Sequence, residues 1–154
     1  RQHAAKVMPW FGQELFEQAA AKGPLSEQAY LDARDAARRI AGPEGIDAAL
    51  ATYQVDALLT SATSPAWSID YVNGDHFRGA GYSAAAVAGY PSITVPAGEV
   101  HGLPIGVVFL GRAYDEARLI GYAHAFEARS QARRPPSYRT SLLDAEAGSL
   151  VGSE

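Results

Sequence analysis

The stretch YSAAAVAGYPSITVPAGEVHGLPIGVVFLG, residues 82–111, decides how this chain is read. Its first letters are small residues closed by Gly89, which reads as a short helix stopped by a glycine able to turn left-handed. Ser92–Gly98 alternates and is rich in β-branched residues, and Pro104–Gly111 is almost entirely apolar. With Glu99–Leu103 between them, the two runs predict an antiparallel hairpin joined by a loop of about five residues.

Working outward, a helix is expected from Asp115, its N-cap, with Leu119, Tyr122, Ala123 and Phe126 on one face and basic residues from Arg129 to Arg133 at its end. Pro135-Pro136 terminates it, and residues 133–154 form a weakly patterned tail. Upstream, Val55–Ser61 reads as a buried strand. The segment from Ala62 to Tyr82 has no clear period, and about twenty such residues are too many for an ordinary connector, so a functional loop is expected. Residues 1–54 read as helical. One helix starts at Pro9 and carries Trp10, Leu15, Phe16, Ala19 and Ala20 up to Gly23-Pro24. A second is capped by Ser26, with Tyr30, Ala33, Ala37 and Ile40 as its apolar face. Gly42-Pro43 closes it and opens a third, ending near Tyr53. The pattern predicts an α/β chain with only three strands, a sheet comfortable as part of something larger.

Composition narrows the function classes. The 154 residues are 47% hydrophobic and 19% charged, as in globular domains, and carry a formal charge of −4. No broad basic field is present, so nucleic acid is not an expected partner. There is no cysteine, which excludes disulfides and thiolate chemistry. No apolar run approaches the roughly 20 residues of a bilayer span, so no membrane partner is expected, and the absence of cysteine and of a signal peptide favours a cytoplasmic location. The chain begins at Arg1 and its only methionine is Met8, so a mature or recombinant fragment is as plausible as a complete gene product.

Candidate chemistry is sparse. Ser83, Asp115 and His124 follow the order of an α/β-hydrolase triad, but loop residues precede Ser83 where a nucleophile elbow needs a strand, and the fifth position is Ala85 rather than glycine. The glycines at 79 and 81 fail as a dinucleotide fingerprint for the same reason. His3, His76, His101 and His124 have no ligand spacing, so no metal is expected. Only Lys6 and Lys22 supply lysine, with no Ser-x-x-Lys spacing. The long loop mixes Trp67, Asp70, Tyr71, Asn73, Asp75, His76 and Phe77, a composition suited to a substrate-binding wall. The same letters also fit a surface loop whose Asp and Asn make turns over packed aromatics.

Ala88-Gly89-Tyr90-Pro91, Ile93, Val95-Pro96, Gly98, Gly102-Leu103-Pro104, Gly106, Gly111-Arg112, Asp115-Glu116 and Phe126-Glu127 fall in the order and spacing of one known pattern. The chain there resembles the C-terminal third of the amidase signature enzymes. Asp56–Trp67 resembles the strand and loop that precede this block, and Met8–Phe16 a helix of a bacterial subgroup. The resemblance implies a mixed sheet flanked by helices, with an N-terminal helical segment, all within one amidase signature domain. It implies a parent hydrolase that cleaves a small-molecule carboxylic amide by a Ser-cis-Ser-Lys mechanism, without a cofactor. Those catalytic residues lie N-terminal to the matched block, so no catalytic residue is assigned in this chain, which by itself is expected to be silent. Some members carry Asn where this chain has Ala86, so polar contacts from that helix are not carried over. The rival expectation is a non-catalytic amidase-like binding domain; under either reading the isolated chain is expected to self-associate through exposed apolar faces.

Overall fold

A computed structural model describes residues 2–136 and 138. The expected tail, apart from those residues, lies outside them. Six α-helices and three strands are present among the described residues: α1 (Ala4–Val7), α2 (Glu14–Ala20), α3 (Gln28–Ala41), α4 (Ala48–Thr52), β1 (Leu58–Ser61), α5 (Ser83–Ala88), β2 (Ser92–Val100), β3 (Leu103–Leu110) and α6 (Glu116–Ser130), with a π-helical turn at Gly42–Asp47 between α3 and α4.

The hairpin anchors the fold. β2 and β3 pair antiparallel from Ser92↔Leu110 to Val100↔Leu103. The five-residue loop expected between them is only two residues long, because His101 (φ 51°) and Gly102 (φ 75°) turn the chain left-handed and let both strands run further. A bulge between Pro96 and Gly98 relieves the ladder where proline has no N–H to donate. β1 adds to the other side of β3, giving the order β1-β3-β2. All three strands are antiparallel neighbours, so the mixed sheet expected is antiparallel throughout the strands this chain supplies.

Strand alternation sends Leu58, Val108 and Leu110 to one face of this sheet. They pack with Ile46 of the π turn, Leu50 of α4 and Ala85 of α5; Leu50, Ala85 and Val108 are fully buried. The opposite face carries Ile93, Val95 and Phe109 and is covered by α6, whose buried Leu119 and Ala123 and half-buried Tyr122 and Phe126 form the face expected for it. Phe109 and Phe126 meet edge to face at 5.9 Å. The result is a sheet between two helical layers.

Several expected boundaries move. The first helix does not start at Pro9: α1 ends at Val7, and α2 begins only at Glu14, after Gly12. Ser26 does not cap α3; Glu27 holds the extended N-cap position, with no side-chain bond to the helix. Gly42-Pro43 does not break the rod. Proline lacks the N–H for the next α-helical bond, and the chain widens into a π turn that runs on into α4. β1 starts three residues later than expected because α4 closes in a Schellman motif, with Gln54 at φ 52° and the Val55 N–H returning to the Leu50 carbonyl at 3.1 Å. Asp115 keeps its N-cap position but makes no cap bond; its carboxylate faces Arg118 Nε at 3.3 Å.

The apolar stripe of α3 has no cover. Tyr30 is 41% and Ile40 58% exposed, and Ala33 and Ala37 are exposed with them. The half-buried positions are instead Leu31, Arg34, Ala36 and Ala41.

Candidate functional site

Β-strand β1 delivers the chain to the site. Beyond Ser61 the Ala62 N–H donates to the Gly106 carbonyl at 2.8 Å, and the Gly81 N–H comes back to the Ala62 carbonyl at 3.0 Å. Thr63 and Ala80 form an isolated antiparallel bridge. The long segment is thereby pinched at its base into one loop that leaves from and returns to the sheet edge. Gly81 makes the pinch possible: a Cβ there would lie 2.2 Å from the Ser61 carbonyl oxygen and 2.4 Å from Thr60 Cγ2. The glycines upstream of Ser83 therefore form the return of a loop, not a strand-to-helix elbow. Among the described residues no hydrogen bond joins Ser83, Asp115 and His124, and Asp115 is engaged with Arg118.

Within the loop, the residues singled out from sequence fall into small groups. The Trp67 indole N–H donates to Asp75 Oδ1 at 3.1 Å, and its ring lies 6.1 Å from that of Phe77. Asp70 organises the tip: the Val72 and Asn73 N–H groups donate to its Oδ1 at 2.8 and 2.9 Å, and Asn73 Nδ2 donates to Oδ2 at 2.8 Å. The Asn73 N–H is the main reason its carboxyl is held below the usual carboxylate value, with the Asn73 amide and the Val72 N–H adding to it. Tyr71 stacks on Trp10 at 5.4 Å, tying the N-terminal segment to the loop tip. His76 is exposed.

Two clefts open beside the pinch and share Thr63 and Ser64. The larger, about 530 Å³, runs between Thr60, Ser61 and Pro65 on one side, Arg78–Gly81 on another, and Val100 with Ile105–Val107 of the hairpin. The smaller, about 460 Å³, lies between Ala66, Trp67 and Pro104. Of the seven loop residues expected as a substrate wall, Trp67 lines a cleft; the other six line neither of these two. The residues that sequence reading passed over are Ser61, Ser64 and Arg78. Ser64 Oγ is buried with no hydrogen-bond partner.

A polar link joins the π turn to the segment that enters β2. The Tyr90 hydroxyl donates to Asp47 Oδ2 at 2.6 Å, and Arg112 Nη1 stands 3.8 Å from Asp47 Oδ1. The hydrogen bond to the Asp47 carboxylate, followed by burial, raises the Tyr90 phenol above its ordinary value. Among the described residues no helix is long and apolar enough to cross a membrane.

No protein-family model matches the chain. A probable amidase of Arabidopsis thaliana is 31% identical over 137 residues, 86% of this chain and 22% of the relative. The A subunit of glutamyl-tRNA(Gln) amidotransferase from Exiguobacterium sibiricum is 38% identical over 85 residues, 53% of this chain and 18% of the subunit. Among solved structures, native peptide amidase from Stenotrophomonas maltophilia superimposes with a TM-score of 0.80 at 51% identity, over 90% of this chain and 28% of that one. The homologues of this chain are thus enzymes of the amidase signature family. The chain spans less than a third of the length of each of these three relatives.

Proposed function

We propose that this chain is the C-terminal portion of an amidase signature hydrolase, and that the complete protein cleaves peptide amides to the acid and ammonia. The observation that carries the reading is the agreement with peptide amidase in both backbone and sequence over nine-tenths of this chain, while the chain accounts for little more than a quarter of that enzyme. In the complete protein a serine attacks the amide carbonyl, a Ser-cis-Ser-Lys relay delivers the proton to the departing nitrogen, and water releases the acid from the acyl-enzyme. Those groups come from outside this chain. Its own contribution is the sheet with its two helical layers and the wall formed by the pinched loop, with Trp67 on the cleft and Asp70, Tyr71, Asn73, Asp75, His76 and Phe77 shaping the loop that carries it.

The test uses the complete reading frame that contains Arg1. The expressed protein is expected to release ammonia from N-acetylated dipeptide amides and to be labelled by a serine-directed fluorophosphonate outside residues 1–154. Labelling at Ser83, abolished in Ser83→Ala, would overturn the assignment of the nucleophile. Absence of ammonia release from any amide would overturn the hydrolase reading.

A further inference from the structure

The larger cleft has a one-sided chemistry. Its polar side chains are the hydroxyls of Thr60, Ser61, Thr63 and Ser64 and the guanidinium of Arg78, and no Asp or Glu lines it. Arg78 has no carboxylate partner among the described residues, which is equally so for Arg38, Arg129, Arg133 and Arg134, but of these Arg78 is the one that lines this cleft. An unpaired arginine in a cleft free of acids is a local positive site. A guanidinium offers five N–H donors and no acceptor. The one formal charge lining the cleft is therefore positive, and the fitting ligand carries anionic acceptor oxygens. A carboxylate matches a planar guanidinium in bidentate geometry.

We propose that Arg78 is a specificity-determining residue that selects amides whose acyl part carries a carboxylate, with the Thr63–Ser64 hydroxyls bordering the same pocket. The inference rests on the hydrolase reading above and deepens it. Arg78 is held at the cleft by the loop's return: Gly79, at φ 100°, reverses the backbone immediately after it, before the Thr63–Ala80 bridge fixes the segment to the sheet edge.

The experiment compares three substrates with the complete protein, the dipeptide amides Ac-Glu-Phe-NH2, Ac-Gln-Phe-NH2 and Ac-Lys-Phe-NH2. The ratio of kcat/KM for the Glu to the Gln substrate is expected to fall about tenfold in Arg78→Ala, mainly through KM, and to be largely kept in Arg78→Lys. In Arg78→Glu the preference is expected to turn toward the Lys substrate. Calorimetric binding of the product acid Ac-Glu-Phe to wild type and Arg78→Glu is measured alongside. Equal ratios in all four proteins, with binding of the acid unaffected, would overturn the role of Arg78. Loss of acid binding in Arg78→Glu, in a protein that hydrolyses none of the amides, would keep the carboxylate site and overturn the hydrolase reading instead.

Discussion

Asp70 shows how a single side chain can organise a loop tip without lining either of the two clefts beside it. It accepts two backbone N–H bonds and one side-chain amide bond across three residues, so its charged form is what holds the loop tip together. Because these bonds lower its folded-state pKa, its contribution to the ordered loop is complete above the ordinary carboxylate range and is lost as pH falls through the lowered value. Trp10, stacked on the neighbouring Tyr71, reports the change. An acid titration of tryptophan fluorescence should show a step below the usual aspartate range that is missing in Asp70→Asn. An identical step in the variant would mean that another group opens the loop.

At the scale of elements, the chain was most legible where an element meets its partner within these residues. The face of α6 follows from Leu119, Tyr122, Ala123 and Phe126 because β2 and β3 lie under it. The stripe of α3 was equally regular, yet it marks an exposed face, since amphipathic spacing states that a side wants cover and not which segment supplies it. Helix ends were read less well, because their positions depend on capping geometry: Gln54 ends α4 with a left-handed backbone that no turn-forming residue type announced. A non-glycine residue there is strained, so Gln54→Gly should stabilise the chain by about 1 kcal/mol, seen as a higher thermal midpoint. A lowered midpoint would mean that the glutamine side chain contributes packing that outweighs the strain. The cleft was the least legible part. Loop composition pointed to residues that brace the loop itself, such as Trp67 with Asp75 and Asp70 with Asn73. Ser64 and Arg78 reach the cleft only because the Thr63–Ala80 bridge and the close approach of Gly81 to Ser61 fold the loop back.

For the whole molecule, the decisive quantity is apolar surface left without a partner. Trp10, Phe11, Leu15, Phe16, Ile40, Leu59, Ile69 and Val72 are all well exposed, too many for scattered surface residues. Expressed alone, residues 1–154 should sediment as species larger than a monomer, and Ile40→Glu, on the bare stripe of α3, should shift the distribution toward monomer. A sharp monomer peak for the unaltered chain would show that these faces need no partner. The π turn at Gly42–Asp47 bears on the same surface in another way. Accommodating one extra residue in a helical turn rotates everything before it by about 100° relative to everything after it. Leu50 is locked into the core on the far side of that turn, so the rotation acts on α3. The turn thus works as a phase shifter. It fixes in which direction the Tyr30–Ile40 stripe is presented, so shortening Gly42–Asp47 by one residue would re-aim that face without changing any letter of it.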